Sequence, residues 1–235
     1  MKKEIDSGDF MDFIREPSAA GAYLSDRPED AASAQLQDGE GGIWLHQGSY
    51  TIEDYYALPE EKHVELIDGK FYDMAAPTAA HQILVGRIYA CFQNHIDSNR
   101  GTCLPIFSPV DVQIDRDEKT VLQPDLLILC DREKFRHGII YGAPDLIVEV
   151  LSKSTKNRDL VMKLNKYFIA GVREYWIVDP FEKTILVYLF LEDAPLEYRK
   201  YGREDSVPVG IWDGACQVDF GEIFAYLDSL EELQM

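Results

Sequence analysis

The chain reads as an α/β domain of the α+β kind, a mixed central sheet flanked by helices. Three observations predict it. Leu126-Leu127-Ile128-Leu129 and Leu146-Ile147-Val148-Glu149-Val150-Leu151 are nearly continuously apolar, as strands are when both faces of their sheet are covered. Between residues 79 and 97, Leu84, Val85, Ile88, Tyr89, Phe92 and Ile96 recur at helical spacing, which gathers them on one face while Arg87, Asn94 and Asp97 fall opposite. The order of elements is hairpin, helix, three strands, helix, strand, an arrangement that buries helices against a sheet.

Each element has its own signal. Residues 1 to 48 carry four basic and ten acidic side chains with no sustained period, the pattern of a disordered or loosely attached arm; the domain proper is then 49–235. Thr51 is an N-cap for a short helix with Glu53 and Asp54 in its first turn. Val64 to Ile67 and Lys70 to Met74 flank Asp68-Gly69, the dipeptide that supplies the positive φ angles of a type I′ hairpin turn. After the helix come strand-like runs at Pro109 to Asp115, Pro124 to Cys130 and Asp145 to Ser152. A second helix is expected from about Thr155 to Ala170, with Leu160, Val161, Leu164, Tyr167 and Phe168 as its buried face and Gly171 ending it. Glu174 to Val178 forms a further strand closed by Asp179-Pro180, and Thr184 to Leu191 and Gln217 to Phe220 add edge strands.

At 235 residues and 46% apolar content the chain can build one generous core. Cys91, Cys103, Cys130 and Cys216 form no CxxC pair, so they read as reduced, mostly buried thiols rather than a zinc knuckle or a disulfide framework. The polar start Met1-Lys2-Lys3-Glu4 and the lack of any long apolar stretch give the expectation of a cytoplasmic protein without a membrane span. The net charge of −19 opposes broad, backbone-driven binding of a polyanion. A site, however, feels mainly the charges within a Debye length of roughly 8 to 10 Å, and between residues 151 and 173 Lys153, Lys156, Arg158, Lys163, Lys166 and Arg173 face only one acid, Asp159.

Asp125 opens an apolar strand directly after Pro124, and Glu149 lies inside another. An ionised carboxylate buried there is costly unless a cation or hydrogen bonds compensate it, so something positive should face Glu149. Two carboxylates on neighbouring strands can hold a hard divalent ion, and such an ion can activate water and neutralise charge on a phosphoryl oxygen. In the second helix Lys163 lies about 100° from the centre of the apolar face and reaches inward along its stem, whereas Lys166 points to solvent. Lys153 is too far from Glu149 along an extended strand. His81 sits on the apolar face of the first long helix, and Glu65 in the hairpin is a further candidate ligand.

The strings Val64-Glu65-Leu66-Ile67-Asp68-Gly69, His81-Gln82, Gln123-Pro124-Asp125-Leu126, Gly142-Ala143-Pro144-Asp145-Leu146-Ile147-Val148-Glu149-Val150-Leu151-Ser152 and Gly171-Val172-Arg173-Glu174-Tyr175-Trp176-Ile177-Val178-Asp179-Pro180 resemble the Uma-type restriction endonuclease family, a branch of the PD-(D/E)XK nuclease superfamily. The resemblance spans about residues 50 to 225. It implies an αβββαβ restriction-endonuclease-like core in which Asp125 and Glu149 bind Mg2+ or Mn2+ for hydrolysis of DNA. The superfamily pattern places a lysine two residues after the acidic one, where this chain has Leu151; Lys163 matches a lysine common in the family's second helix and is expected to stabilise the attacking hydroxide or the pentavalent phosphate. His81 and Glu65 match positions near the site and complete the expected metal set.

Two other readings compete with that nuclease. One is a non-catalytic binding or assembly protein that keeps a degenerate nuclease fold, supported by Leu151 and the overall acidity. The other is a metal-dependent hydrolase of small phosphoesters. The sequence leaves a homodimer open.

Overall fold

The computed structural model describes residues 47–59, 61–115, 117–152, 158–190 and 197–232. The acidic arm up to residue 46 and Lys153 lie outside them. The last residues before the domain are tied to it: the Gln47 amide pairs with the Phe71 backbone in both directions at 2.9 Å, and the Gly48 N–H donates to the Gly69 carbonyl at 2.7 Å.

A first short helix, α1 (Ile52–Tyr56), starts in a capping box between Thr51 and Asp54. The hairpin β1 (Val64–Ile67) and β2 (Lys70–Asp73) follows, with Asp68 at φ 51° and Gly69 at φ 71°, the two left-handed residues of a type I′ turn. Helix α2 (Ala79–Ser98) is capped by Thr78 and buries Leu84, Val85, Ile88, Phe92 and Ile96. Strands β3 (Leu104–Phe107), β4 (Val112–Gln113), β5 (Leu126–Leu129), β6 (Phe135–Arg136), β7 (Ile139–Tyr141) and β8 (Leu146–Val150) come next. A π-helical segment, Arg158–Lys163, runs into α3 (Leu164–Ala170), which ends on the left-handed Gly171. Strands β9 (Glu174–Asp179), β10 (Thr184–Leu189), β11 (Glu197–Tyr201), β12 (Ser206–Pro208) and β13 (Gln217–Asp219) and helix α4 (Phe220–Glu232) complete the chain.

The central sheet has six strands in the order β11-β10-β9-β8-β5-β3. Only β8 and β9 run parallel, joined by the crossover that carries α3; the other neighbours are antiparallel. The sheet is therefore mixed, as the sequence predicts, and α2, β3, β5, β8, α3, β9 trace the αβββαβ core. One face packs on α2 and α4 through Leu126, Ile128, Val148 and Trp176. The other packs on α3 and on the small β4-β7-β6 sheet through Leu127, Leu129, Ile147 and Tyr175. This two-sided burial explains the unbroken apolar runs of β5 and β8.

Four expectations need correction. The first core strand is Leu104–Phe107, not the run from Pro109. The Ser108 N–H bonds the Asp125 carbonyl, so alternation along the antiparallel ladder sets Pro105 at a non-hydrogen-bonded position, where its missing N–H costs nothing. Of the run from Pro109 only Val112–Gln113 is strand, and it belongs to the small sheet. The strand Thr184–Leu189 is flanked by β9 and β11 and is no edge. Finally, Cys103 and Cys130 form a disulfide and only Cys91 and Cys216 are free thiols; the register Leu104↔Leu129 brings residues 103 and 130 face to face one step on.

Candidate active site

Asp125 and Glu149 stand at the end where β5 and β8 part. The last paired residues of that ladder are Leu126 and Val148, so the same register carried one step further sets Asp125 opposite Glu149. There a side chain replaces the ladder: Asp125 Oδ2 accepts the Val150 N–H at 2.7 Å. The same oxygen lies 3.2 Å from His81 Nε2 in the first turn of α2, whose backbone N–H is held by the Thr78 cap. Burial alone pulls the His81 pKa down, but the hydrogen bond and charge of Asp125 outweigh it, and the net shift is upward from 6.5. His81 Nδ1 is buried without a hydrogen-bond partner among the described residues.

Glu149 is buried inside a central strand, and its expected positive partner is Lys163. The Lys163 ammonium lies 2.8 Å from Glu149 Oε1 and 2.9 Å from Glu65 Oε1. Tyr167 adds a hydroxyl that donates to Glu149 Oε1 at 2.7 Å. Burial, and after it the Glu149 charge, holds that hydroxyl well above its ordinary pKa, so it remains a donor. Glu65 Oε1 also accepts the Gln123 backbone N–H at 3.0 Å.

The five residues singled out by sequence thus fall into two linked groups. Glu65, Lys163 and Glu149 form one, and His81 and Asp125 the other. They connect through the backbone: Asp125 bonds the N–H of the residue after Glu149, and Glu65 bonds the N–H two residues before Asp125. Asp125 and His81 are the solvent-facing part, with side chains 19% and 13% exposed. Among the described residues no three His, Cys, Asp or Glu side chains form a ready cation cage.

The second helix departs from its expected face. Lys163 reaches inward as expected and is fully buried, whereas Val161, expected on the buried face, is exposed. The π-helical start widens each turn beyond the 3.6 residues of the α-helix, which rotates Lys163 inward. Lys166 is also not simply solvated: it pairs with Asp68 at 2.5 Å, Asp115 at 2.6 Å and Asp117 at 3.8 Å. Burial lowers its pKa, but Asp115 and Asp68 more than reverse this. Arg173 pairs with Asp145 at 3.2 Å. Lys163, Lys166 and Arg173 of the basic strip are therefore neutralised internally.

Two further contributors carried readable signals. Tyr167 follows Lys163 by four residues, one helical turn, which is the spacing that puts two side chains on one target. Gln123 stands in the Gln123-Pro124-Asp125 string, and its side-chain amide ties Tyr55 and Asp111 together at 2.9 and 2.8 Å, bracing the strand end from which Asp125 projects.

A family model described as "Putative restriction endonuclease", Uma2, matches residues 52–210, a span that holds all five of these residues. The chain belongs to the Uma2 family. An uncharacterized protein of Synechocystis sp., slr1290, is 33% identical over 166 residues, which cover 68% of this Uma2 chain and 85% of that protein. The crystal structure of a "putative nuclease belonging to DUF820" from Anabaena variabilis matches with a TM-score of 0.63 at 20% identity, covering 75% of this chain and 98% of the other. At that identity the likeness speaks for the fold. No helix among the described residues of this Uma2 member is long and apolar enough to cross a membrane.

Proposed function

We propose that the protein is a metal-dependent endonuclease that hydrolyses DNA phosphodiester bonds, with Asp125 and Glu149 holding Mg2+ or Mn2+. Membership in a family described as "Putative restriction endonuclease" supports the reaction class. The observation that carries the site is the bond from Asp125 Oδ2 to the Val150 N–H, because it locks one carboxylate beside the strand residue that bears the other. Among the described residues, both hydrogen bonds to the Asp125 side chain end on Oδ2, which leaves Oδ1 for a cation. Two carboxylates suit magnesium, which keeps several waters and takes one or two protein oxygens.

A bound Mg2+ or Mn2+ supplies Lewis-acid polarisation of the phosphoryl oxygen and brings water into its nucleophilic, deprotonated range. The protein's own groups set the geometry. His81 orients Asp125, and Tyr167 fixes the rotamer of Glu149. Lys163 stands within 3 Å of both Glu65 and Glu149, so its charge is in place before charge develops on phosphorus and needs no reorganisation. Glu65 holds that ammonium rather than competing for the metal.

A non-catalytic binding or assembly role is favoured by one observation: Lys163 and Tyr167 already compensate Glu149 without a metal ion. Supercoiled plasmid separates the two readings. With Mg2+ or Mn2+ the purified protein is expected to nick it, and Asp125→Asn or Glu149→Gln to slow nicking by about a hundredfold or more, the usual scale for removing one preorganised electrostatic group. A folded wild-type protein that leaves plasmid intact with either metal supports the non-catalytic reading.

A further inference from the structure

Three cations of the basic strip have their charges matched. Lys163 faces Glu65 and Glu149, Lys166 faces three aspartates, and Arg173 faces Asp145. On a chain of net charge −19, phosphate neutralisation alone is a weak way to hold a polynucleotide. Beside the solvent-facing part of the site, however, stands an aromatic ring. Phe107 ends the edge strand β3 and is 55% exposed. It pairs in register with Leu126, and the next residue, Ser108, donates its backbone N–H to the Asp125 carbonyl at 3.1 Å.

Register gives the ring its direction. Phe107 and Leu126 are cross-strand partners and share a sheet face, the one covered by α2. There Phe107 meets Tyr89 of α2 at a centroid distance of 5.1 Å and an interplanar angle of 90°, and the Tyr89 hydroxyl is tied one turn on to Gln93 at 3.2 Å. The perpendicular contact steadies Phe107 without burying it. His81 projects from the same helix, two turns before Tyr89.

We propose that Phe107, backed by Tyr89, is a stacking platform for an unpaired base of the polynucleotide whose phosphate lies at Asp125, so that the preferred substrate is single-stranded or locally opened. This rests on the nuclease reading above and adds the substrate class to it. Stacking on an aromatic ring is indifferent to sequence and needs no positive charge, which suits a site whose Lys163, Lys166 and Arg173 are internally paired. A duplex hides the faces of its bases and cannot use the ring without local opening.

Fluorescence anisotropy tests this with one labelled oligonucleotide, single-stranded or annealed to its complement, in calcium instead of magnesium. The wild type should bind the single strand more tightly than the duplex. Phe107→Ala should weaken single-strand binding by about tenfold or more, the scale for loss of one base–aromatic stack. Phe107→Trp should restore it, and thermal melting of both variants should match the wild type. If the wild type binds and cleaves polynucleotides while Phe107→Ala binds the single strand equally well, the platform is wrong and the nuclease reading stands. If the wild type binds neither form and cleaves neither, both fall. If Phe107→Ala instead changes only the sedimentation coefficient, the ring serves contact between two copies of the chain and the proposal is overturned.

Discussion

Lys163 Nζ lies 2.8 Å from Glu149 Oε1, and both side chains are only 4% exposed. With Glu65 Oε1 2.9 Å from the same ammonium, the lysine is the counter-charge to two buried carboxylates. Removing one partner of a buried pair leaves an uncompensated charge, at a cost of about 3–5 kcal/mol. Lys163→Met is therefore expected to lower unfolding stability in urea by about that amount. Adding Glu149→Gln to that variant should recover part of the loss. A Lys163→Met protein as stable as the wild type contradicts the burial of this pair.

His81 offers a pH test. Its folded pKa is raised above 6.5 by Asp125 despite burial, so the imidazolium is favoured by folding. The contribution of the pair is therefore full below the unfolded-state pKa of about 6.5 and is lost as pH rises through the higher folded-state value. In the metal-free protein the NMR titration midpoint of His81 should lie above 6.5 and fall in Asp125→Asn. The stability advantage of the wild type over His81→Gln should shrink with rising pH across that window. A midpoint at or below 6.5, unmoved by Asp125→Asn, contradicts the pairing.

Cysteine state is a third check, and it bears on a correction. The chain has four cysteines, of which Cys103 and Cys130 are joined and Cys91 and Cys216 are free. Titration with a thiol reagent after denaturation without reductant should return two thiols, and four after reduction. Cys91, whose hydrogen bond with Cys216 outweighs burial and brings its pKa down to about 7, should be the first alkylated in the native protein near neutral pH. Four thiols before reduction would favour the all-reduced reading of the sequence.

Those cysteines show why some features were legible in the sequence and others were not. Apolar continuity marked β5 and β8 as central, because burial on both faces leaves no polar alternation. The same logic made Glu149 stand out, since a charged residue in such a strand demands a partner. Lys163 reaches inward as its place on the helix predicts, but the π-helical segment buries it more fully than the 3.6-residue period anticipates, and for the same reason Val161 is exposed rather than in the core. Pro105 concealed β3, because proline signals a break unless the ladder alternation that excuses its missing N–H is known. The disulfide and the Lys166 cluster depend on pairings between segments 27 to 98 residues apart, which local periodicity cannot carry.

The central claim is that Asp125 and Glu149 grip one divalent ion, and anomalous scattering from a crystal soaked in Mn2+ tests it most directly. The expected result is a single strong peak within about 2.2 Å of a carboxylate oxygen from each residue, the range of such metal–oxygen bonds, with the peak absent in Asp125→Asn. A fully soaked crystal with no peak between the two carboxylates, or with one that persists unchanged in Asp125→Asn, would contradict it.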